Sequence, residues 1–176
     1  MDTITPATRK FILHWGEMGT RWGINRTVAQ VHALLYLSPK PLNADDLVEG
    51  LEVARSNVST SLRELQGWGI IKVVHIQGDR RDHFESLSDV WELFQIIATE
   101  RKRREVDPTL ALIRECVAEA KKGGAAEAHV AERLGELQGF FETVNAWYEQ
   151  VRCLPTAALV QFLKFGSKVR RLFGLA

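Results

Sequence analysis

The chain has 176 residues, 45% of them hydrophobic, and a formal net charge of +1. That is enough apolar material for one core, or for a small domain with a helical annex, and the near-neutral balance excludes a uniformly basic nucleic-acid binder. Cys116 and Cys153 form neither a metal-binding spacing nor a disulfide framework, which fits a reducing, cytoplasmic setting. The start Met1-Asp2-Thr3-Ile4 is not that of a signal peptide. No run of about 18 uncharged apolar residues is available to span a membrane.

Taken in chain order, Thr5-Pro6 reads as an N-cap followed by proline at the first helical position. Phe11, Trp15, Met18 and Trp22 then mark one face of a helix that Gly23 stops. A second helix is expected from about Thr27 to Leu37, with Val28, Val31 and Leu35 inward, and Ser38-Pro39-Lys40-Pro41 is a loop. Asn43 caps a short helix with Asp45 and Asp46 in its first turn and Leu47 and Leu51 inward. After a turn at Glu52-Val53-Ala54, a helix runs from Arg55 to Gln66. Its Val58, Leu62 and Leu65 fall on one side and its Ser56, Asn57, Thr60 and Arg63 on the other. Gly67-Trp68-Gly69 ends it.

Ile70 to Ile76 is β-branched and strand-like, Gln77-Gly78-Asp79-Arg80-Arg81 is a turn, and Asp82 to Ser86 returns as a second short strand. Ser88 is expected to cap a helix carrying Val90, Leu93, Phe94 and Ile97 toward the core, running to Asp107, where Pro108 breaks or kinks it. Leu110, Ile113 and Val117 mark a further helix that Gly123-Gly124 ends. Val130, Leu134, Leu137, Phe141, Val144, Tyr148 and Val151 alternate in steps of four and three, the seam of helix-on-helix packing within or between subunits. Pro155 opens a last helix with Leu159, Phe162, Leu163, Val169 and Phe173. The predicted architecture is mostly α with a small β-hairpin wing: a winged helix-turn-helix with a helical C-terminal dimerisation region. Residues 1–107 would be the DNA-binding domain with its N-terminal helices, and residues 108–176 the helical dimerisation and sensing region.

Charge is distributed along this order. Residues 53–81 hold five bases against two acids, Arg101-Lys102-Arg103-Arg104 is a basic run, and residues 105–154 hold nine acids against five bases. From Pro155 onward Lys164, Lys168, Arg170 and Arg171 are unopposed. A short basic module beside an acidic helical one hints at a polyanion partner. The helix opening Arg55-Ser56-Asn57-Val58-Ser59-Thr60 carries the sharpest signal. Serine, threonine and asparagine are poor helix-interior residues, yet with arginine they are the side chains that read base edges in a major groove. Arg55, Ser56, Asn57, Ser59, Thr60 and Arg63 are therefore the expected DNA-reading residues. Ordinary polar filler on a solvated face would more often be Glu, Lys and Gln. At the hairpin tip, Asp79, Arg80 and Arg81 can reach phosphates or a minor groove; the alternative is an exposed turn charged for solubility.

The run Leu34-Leu35-Tyr36-Leu37-Ser38, the pair Val58-Ser59, the segment Leu62-Arg63-Glu64-Leu65, Trp68-Gly69 and the wing Gly78-Asp79-Arg80-Arg81-Asp82 resemble the winged-helix domain of MarR-type transcriptional regulators, most closely the GbsR-like branch. Arg101 to Glu105 resembles that branch too. The likeness covers about Phe11 to Pro108. It implies a homodimer on a near-palindromic operator in double-stranded DNA, joined through terminal helices. It also implies that Asp79 orients Arg81, which enters the minor groove, and that osmoprotectant- or choline-responsive control is the branch's business. One departure is Ala54, where the family often has a serine cap; Ser56 would then cap later, or the helix would start weakly.

Other features admit bland readings. Trp15, Trp22, Trp91 and Trp147 could line a box for a quaternary ammonium effector, or serve as core and dimer packing. His75 and His83 could face each other across the hairpin, without a third ligand to make a metal site. Cys116 and Cys153 read as structural thiols rather than oxidant sensors. Arg101 to Arg104 could touch DNA backbone, pair with acids of a partner, or form a solvated face. No phosphate loop, nucleophile elbow or metalloprotease motif is present, so no enzyme and no cofactor are expected. The leading function is a sequence-specific, ligand-responsive transcriptional repressor. The alternatives are a winged helix used for protein–protein contact and a nonspecific chromosome-architecture module.

Overall fold

The structure, a computed structural model, describes residues 4–161. The chain divides into two compact units, Met1–Ile96 and Ile97–Ala176. Pro108 does not break the helix: the backbone widens into a π-helical stretch Lys102–Val106 just before α6 (Asp107–Lys122), and the Asp107 amide donates to the Lys102 carbonyl. A proline lacks the amide that an α-helix needs at its position, and a single π turn shifts the bonding pattern around that gap.

The first unit is built on α2 (Arg26–Leu37), capped by the Asn25 side chain, which accepts from the Thr27 amide at 2.8 Å. Val28 to Leu35 are all buried, so this helix is core on every side. Helix α1 (Pro6–Arg21) starts as expected, with Thr5 accepting from the Thr8 amide and Pro6 opening the first turn. Its most buried stripe is Ile12, Gly16 and Gly19. Phe11 and Trp15 pack beside it, half-buried, and Trp22 is exposed. The aromatic spacing located the right side of the helix but missed its centre, because the glycines, which add no apolar signal, let α1 press onto α2. A Cβ on Gly19 would meet the Ala29 Cβ at 2.6 Å.

A two-residue strand β1 (Leu42–Asn43) leads into α3 (Ala44–Leu51). Asn43 and Asp46 close a capping box: the Asn43 side chain accepts from the Asp45 and Asp46 amides at 2.9 and 3.1 Å, and Asp46 accepts from the Asn43 amide at 3.0 Å. Glu52, in the left-handed region at φ 55°, turns the chain into α4 (Arg55–Trp68). Gly69 at φ 77° ends α4. Strands β2 (Ile71–Val74) and β3 (His83–Ser86) pair antiparallel, with Val73 opposite Phe84, and β1 adds to the other edge of β3, Leu42 opposite Phe84. The sheet is thus three-stranded, in the order β1-β3-β2, where the sequence predicted a hairpin alone; a two-residue strand after Pro41 is too short to read. Val31, Leu47, Val58, Leu65 and Ile70 are the most enclosed apolar side chains of this core.

Helix α5 (Val90–Arg101) is capped by Asp89, which accepts from the Trp91 and Glu92 amides at 2.8 and 3.2 Å. The predicted cap, Ser88, lies one residue too early, and the register moves with it: Leu93 is buried while Val90 and Phe94 are exposed. In the second unit, α6 buries Leu110, Ile113, Val117 and Ala120 and packs along α7 (Ala128–Arg152). Residues 156–161 are helical, with Leu159 buried. Phe162, Leu163, Val169, Phe173 and the four C-terminal bases lie outside the described residues. No helix among the described residues is long and apolar enough to cross a membrane.

Candidate nucleic-acid interface

Helix α4 owes its orientation to Val58, Ser61, Leu62 and Leu65, which are buried against the core. Ser61 is 2% exposed, so one of the polar residues crowding this helix is a small packing residue. Arg55, Ser56, Asn57, Ser59, Thr60 and Arg63 are all exposed. The helix begins at Arg55, with Ala54 in the cap position and no side-chain cap. Ser56 does not take over as a later cap; it stands in the first turn.

The wing places its charges with more order than its exposure implies. The strands end sooner than predicted, and Gly78, at φ 87°, bends the loop between them. Asp79 accepts from the Arg81 amide at 3.0 Å, from Arg81 Nε at 3.0 and 3.1 Å, and from Nη2 at 2.6 Å. The Arg81 hydrogen bonds hold the Asp79 carboxyl far below the ordinary carboxylate range, and Asp79 raises the Arg81 guanidinium in return. His83 is buried beneath this pair. Its Nδ1 lies 3.0 Å from the Arg81 carbonyl and its Nε2 3.6 Å from Asp79. His75 is exposed, 3.9 Å from Asp82, so each histidine has an acid neighbour. No group of three or more metal-ligating side chains occurs among the described residues.

Helix α4 and the wing meet in a cleft of about 340 Å³. Arg55, Ser59, Arg63 and Gln66 line it from α4, Arg81, Asp82 and Phe84 from the wing, and Asn43 to Asp45 from the start of α3. Asp45 is ion-paired with Arg55 and lies 3.8 Å from Arg81 Nη1. Asp45 and Gln66 were not picked out as site residues by sequence. The available signal was an acid in a first helical turn, ten residues before an arginine. Arg80 is exposed at the tip.

The other sequence candidates disperse. Trp15 and Trp22 stand edge to face at 6.3 Å, with Phe11 stacked on Trp15 at 5.3 Å. Trp91 is half-buried on α5, and Trp147 is exposed on α7, in the other unit. The basic run is engaged by nearby acids: Arg101 with Glu105 at 3.1 Å, Lys102 with Asp107 at 2.8 Å and Glu149 at 3.3 Å, and Arg103 and Arg104 with Glu100 at 2.7 and 3.6 Å. Lys102 also lies 5.8 Å over the Tyr148 ring. Cys116 is half-buried and Cys153 exposed, both as free thiols.

Residues 22–82, which hold α2, the capping box, α4 and the wing up to Asp82, match the MarR family. Over these residues the chain is similar to the MarR family. The likeness runs further along the chain. The chain is 25% identical over 154 residues to the HTH-type transcriptional repressor GbsR of Bacillus subtilis, covering 84% of this chain and 85% of that protein. It is 26% identical over 94 residues to the HTH-type transcriptional repressor OpcR of Bacillus subtilis, about half of either chain. A crystal structure of a transcriptional regulator superposes with a TM-score of 0.55 at 20% identity, over 90% of this chain and 99% of the other, which extends the shared fold beyond the matched segment.

Proposed function

We propose that this chain is a sequence-specific DNA-binding transcriptional regulator, a cytoplasmic homodimer that represses from a near-palindromic operator and is released by a small molecule. The observation that carries the reading is the convergence of Arg55 and Arg63 from α4 and Arg81 from the wing on one cleft. Arginine and short polar side chains on a helix match the donor–acceptor pattern of major-groove base edges. A buttressed arginine on a wing matches a narrow minor groove. The names of the relatives favour repression. In this reading residues 1–107 bind DNA and residues 108–176 join the subunits. The aromatic group around Trp15 and Trp22 offers ring faces to a quaternary ammonium effector.

The test is selection of duplexes from a randomised pool by the purified chain, followed by affinity measurement across a salt series. Binding should select a two-fold sequence and weaken steeply with salt. Asn57→Ala and Arg63→Ala should each cost about 1–3 kcal/mol of discrimination and leave folding intact, since both side chains are exposed. A chain that enriches no sequence at moderate salt overturns the proposal.

A further inference from the structure

Asp45 occupies the first turn of α3, but its carboxylate takes no part in capping: Asn43 receives its amide, and Asp46 completes the box. The Asp45 side chain instead lines the cleft between recognition helix and wing. It is ion-paired with Nη1 of Arg55 and stands 3.8 Å from Nη1 of Arg81. Arg81 is held from its other side by Asp79, 2.6 Å from Nη2. One carboxylate therefore lies between a cation of the recognition helix and a cation of the wing.

We infer that Asp45 is a specificity-determining positioning residue, which holds Arg55 and Arg81 as one oriented pair and withholds them from the phosphates of incorrect DNA. This rests on the DNA reading proposed above. Carboxylate and phosphate oxygens compete for the same guanidinium donors. Phosphate contacts carry no sequence information, so arginines released from Asp45 gain affinity on every duplex alike. Arginines held by it exchange one anion for another at a wrong site and gain little. At the right site the balance differs. The bond to Asp45 uses Nη1 of Arg55, and the fork of Nε and Nη2 is an edge that fits O6 and N7 of guanine in bidentate fashion. The carboxylate then orients the reading side chain instead of opposing it.

Asp45→Asn is nearly isosteric and leaves the Asn43–Asp46 box in place. Affinities are measured for the duplex that wild-type protein enriches from a randomised pool and for its shuffled version, over a salt series. The variant should bind the shuffled duplex about 3- to 10-fold more tightly, with a salt slope steeper by about one, and the ratio between the two duplexes should fall by a similar factor. Asp45→Glu should restore most of that ratio. An equal gain on both duplexes is what bare removal of a negative charge gives, and it overturns the inference, as does an unchanged ratio. A wild-type chain that enriches nothing ends the DNA reading and this one together; a wild-type chain that selects DNA while Asp45→Asn selects it equally well ends only this one.

Discussion

His32 sits on the central helix, 6% exposed, with its Nε2 3.3 Å from the Ser86 hydroxyl and its ring 6.2 Å from Tyr36. Burial pushes its imidazole down to about 4 from an ordinary 6.5. The folded chain therefore holds it neutral, while the unfolded chain takes up a proton as pH falls through 6.5. The stability this group contributes is fully present above pH 6.5 and is lost as pH drops toward 4. By pH 5 the loss should be about 2 kcal/mol. Urea unfolding at pH 7.5 and pH 5.0 measures it: the difference should shrink by roughly that amount in His32→Gln, and an identical difference in both proteins would remove His32 from the pH response. A buried histidine flanked by apolar helix positions is visible in the sequence as a residue, but its titration is not. That property depends on Tyr36 and Ser86 closing around it, and Ser86 comes from 54 residues away. Glycines show the same limit: Gly16 and Gly19 make the α1–α2 contact by what they lack.

At the scale of elements, the chain's own chemistry made most boundaries legible. Thr5 and Asn43 both cap the helices that follow them, and Gly69 and Gly123 stand at helix ends; the Asn25 cap of α2 was not picked out. The exposed face of α4 was legible because Val58, Leu62 and Leu65 fix its phase. One misplaced feature comes from competition between neighbours of equal local merit. Ser88 and Asp89 are both good caps, and Asp89 is the one that receives the first-turn amides. The cleft's composition was half legible: the arginines stood out by type, while Asp45 was explained already as a favourable first-turn acid. The wing carries an order the sequence could not show. Four hydrogen bonds tie Asp79 to Arg81, so in the proposed function the arginine would meet DNA already oriented. Arg81→Ala should weaken binding by about tenfold, with the greatest loss on A·T-rich flanks, where a narrow groove favours an inserted arginine. Asp79→Ala should reproduce much of that loss although it removes a negative charge, and the double variant should cost little more than either alone. Additive losses on a fluorescence anisotropy titration would show the two side chains acting separately.

For the whole molecule the decisive element is α7. The predicted seam of Val130, Leu134, Leu137, Phe141, Val144, Tyr148 and Val151 is split by the structure: Leu134, Phe141, Tyr148 and Val151 are half-buried, whereas Val130, Leu137 and Val144 are exposed. The exposed members align with two residues outside that seam. Leu137, Phe140, Val144 and Trp147, at 42, 62, 41 and 53% exposure, step by three, four and three along the helix. A 25-residue helix with an apolar stripe of this period and no buried residue has the pattern of one that packs against another helix. A second copy of the chain would satisfy it with an isologous contact, each stripe facing its two-fold mate. The same symmetry would set two recognition helices about one helical turn of DNA apart, which the proposed operator reading requires. Phe140→Asp, or Trp147→Asp, should therefore convert a species near twice 19.9 kDa to monomer in sedimentation and abolish selection of the operator. The first unit should keep its thermal transition, since neither residue belongs to its core. Phe141→Asp is the informative control: Phe141 is half-buried, so its charge should unfold the second unit rather than merely separate two copies. A wild-type chain that stays monomeric at micromolar concentration and still selects its operator would overturn the two-fold arrangement, whatever the stripe on α7 then covers.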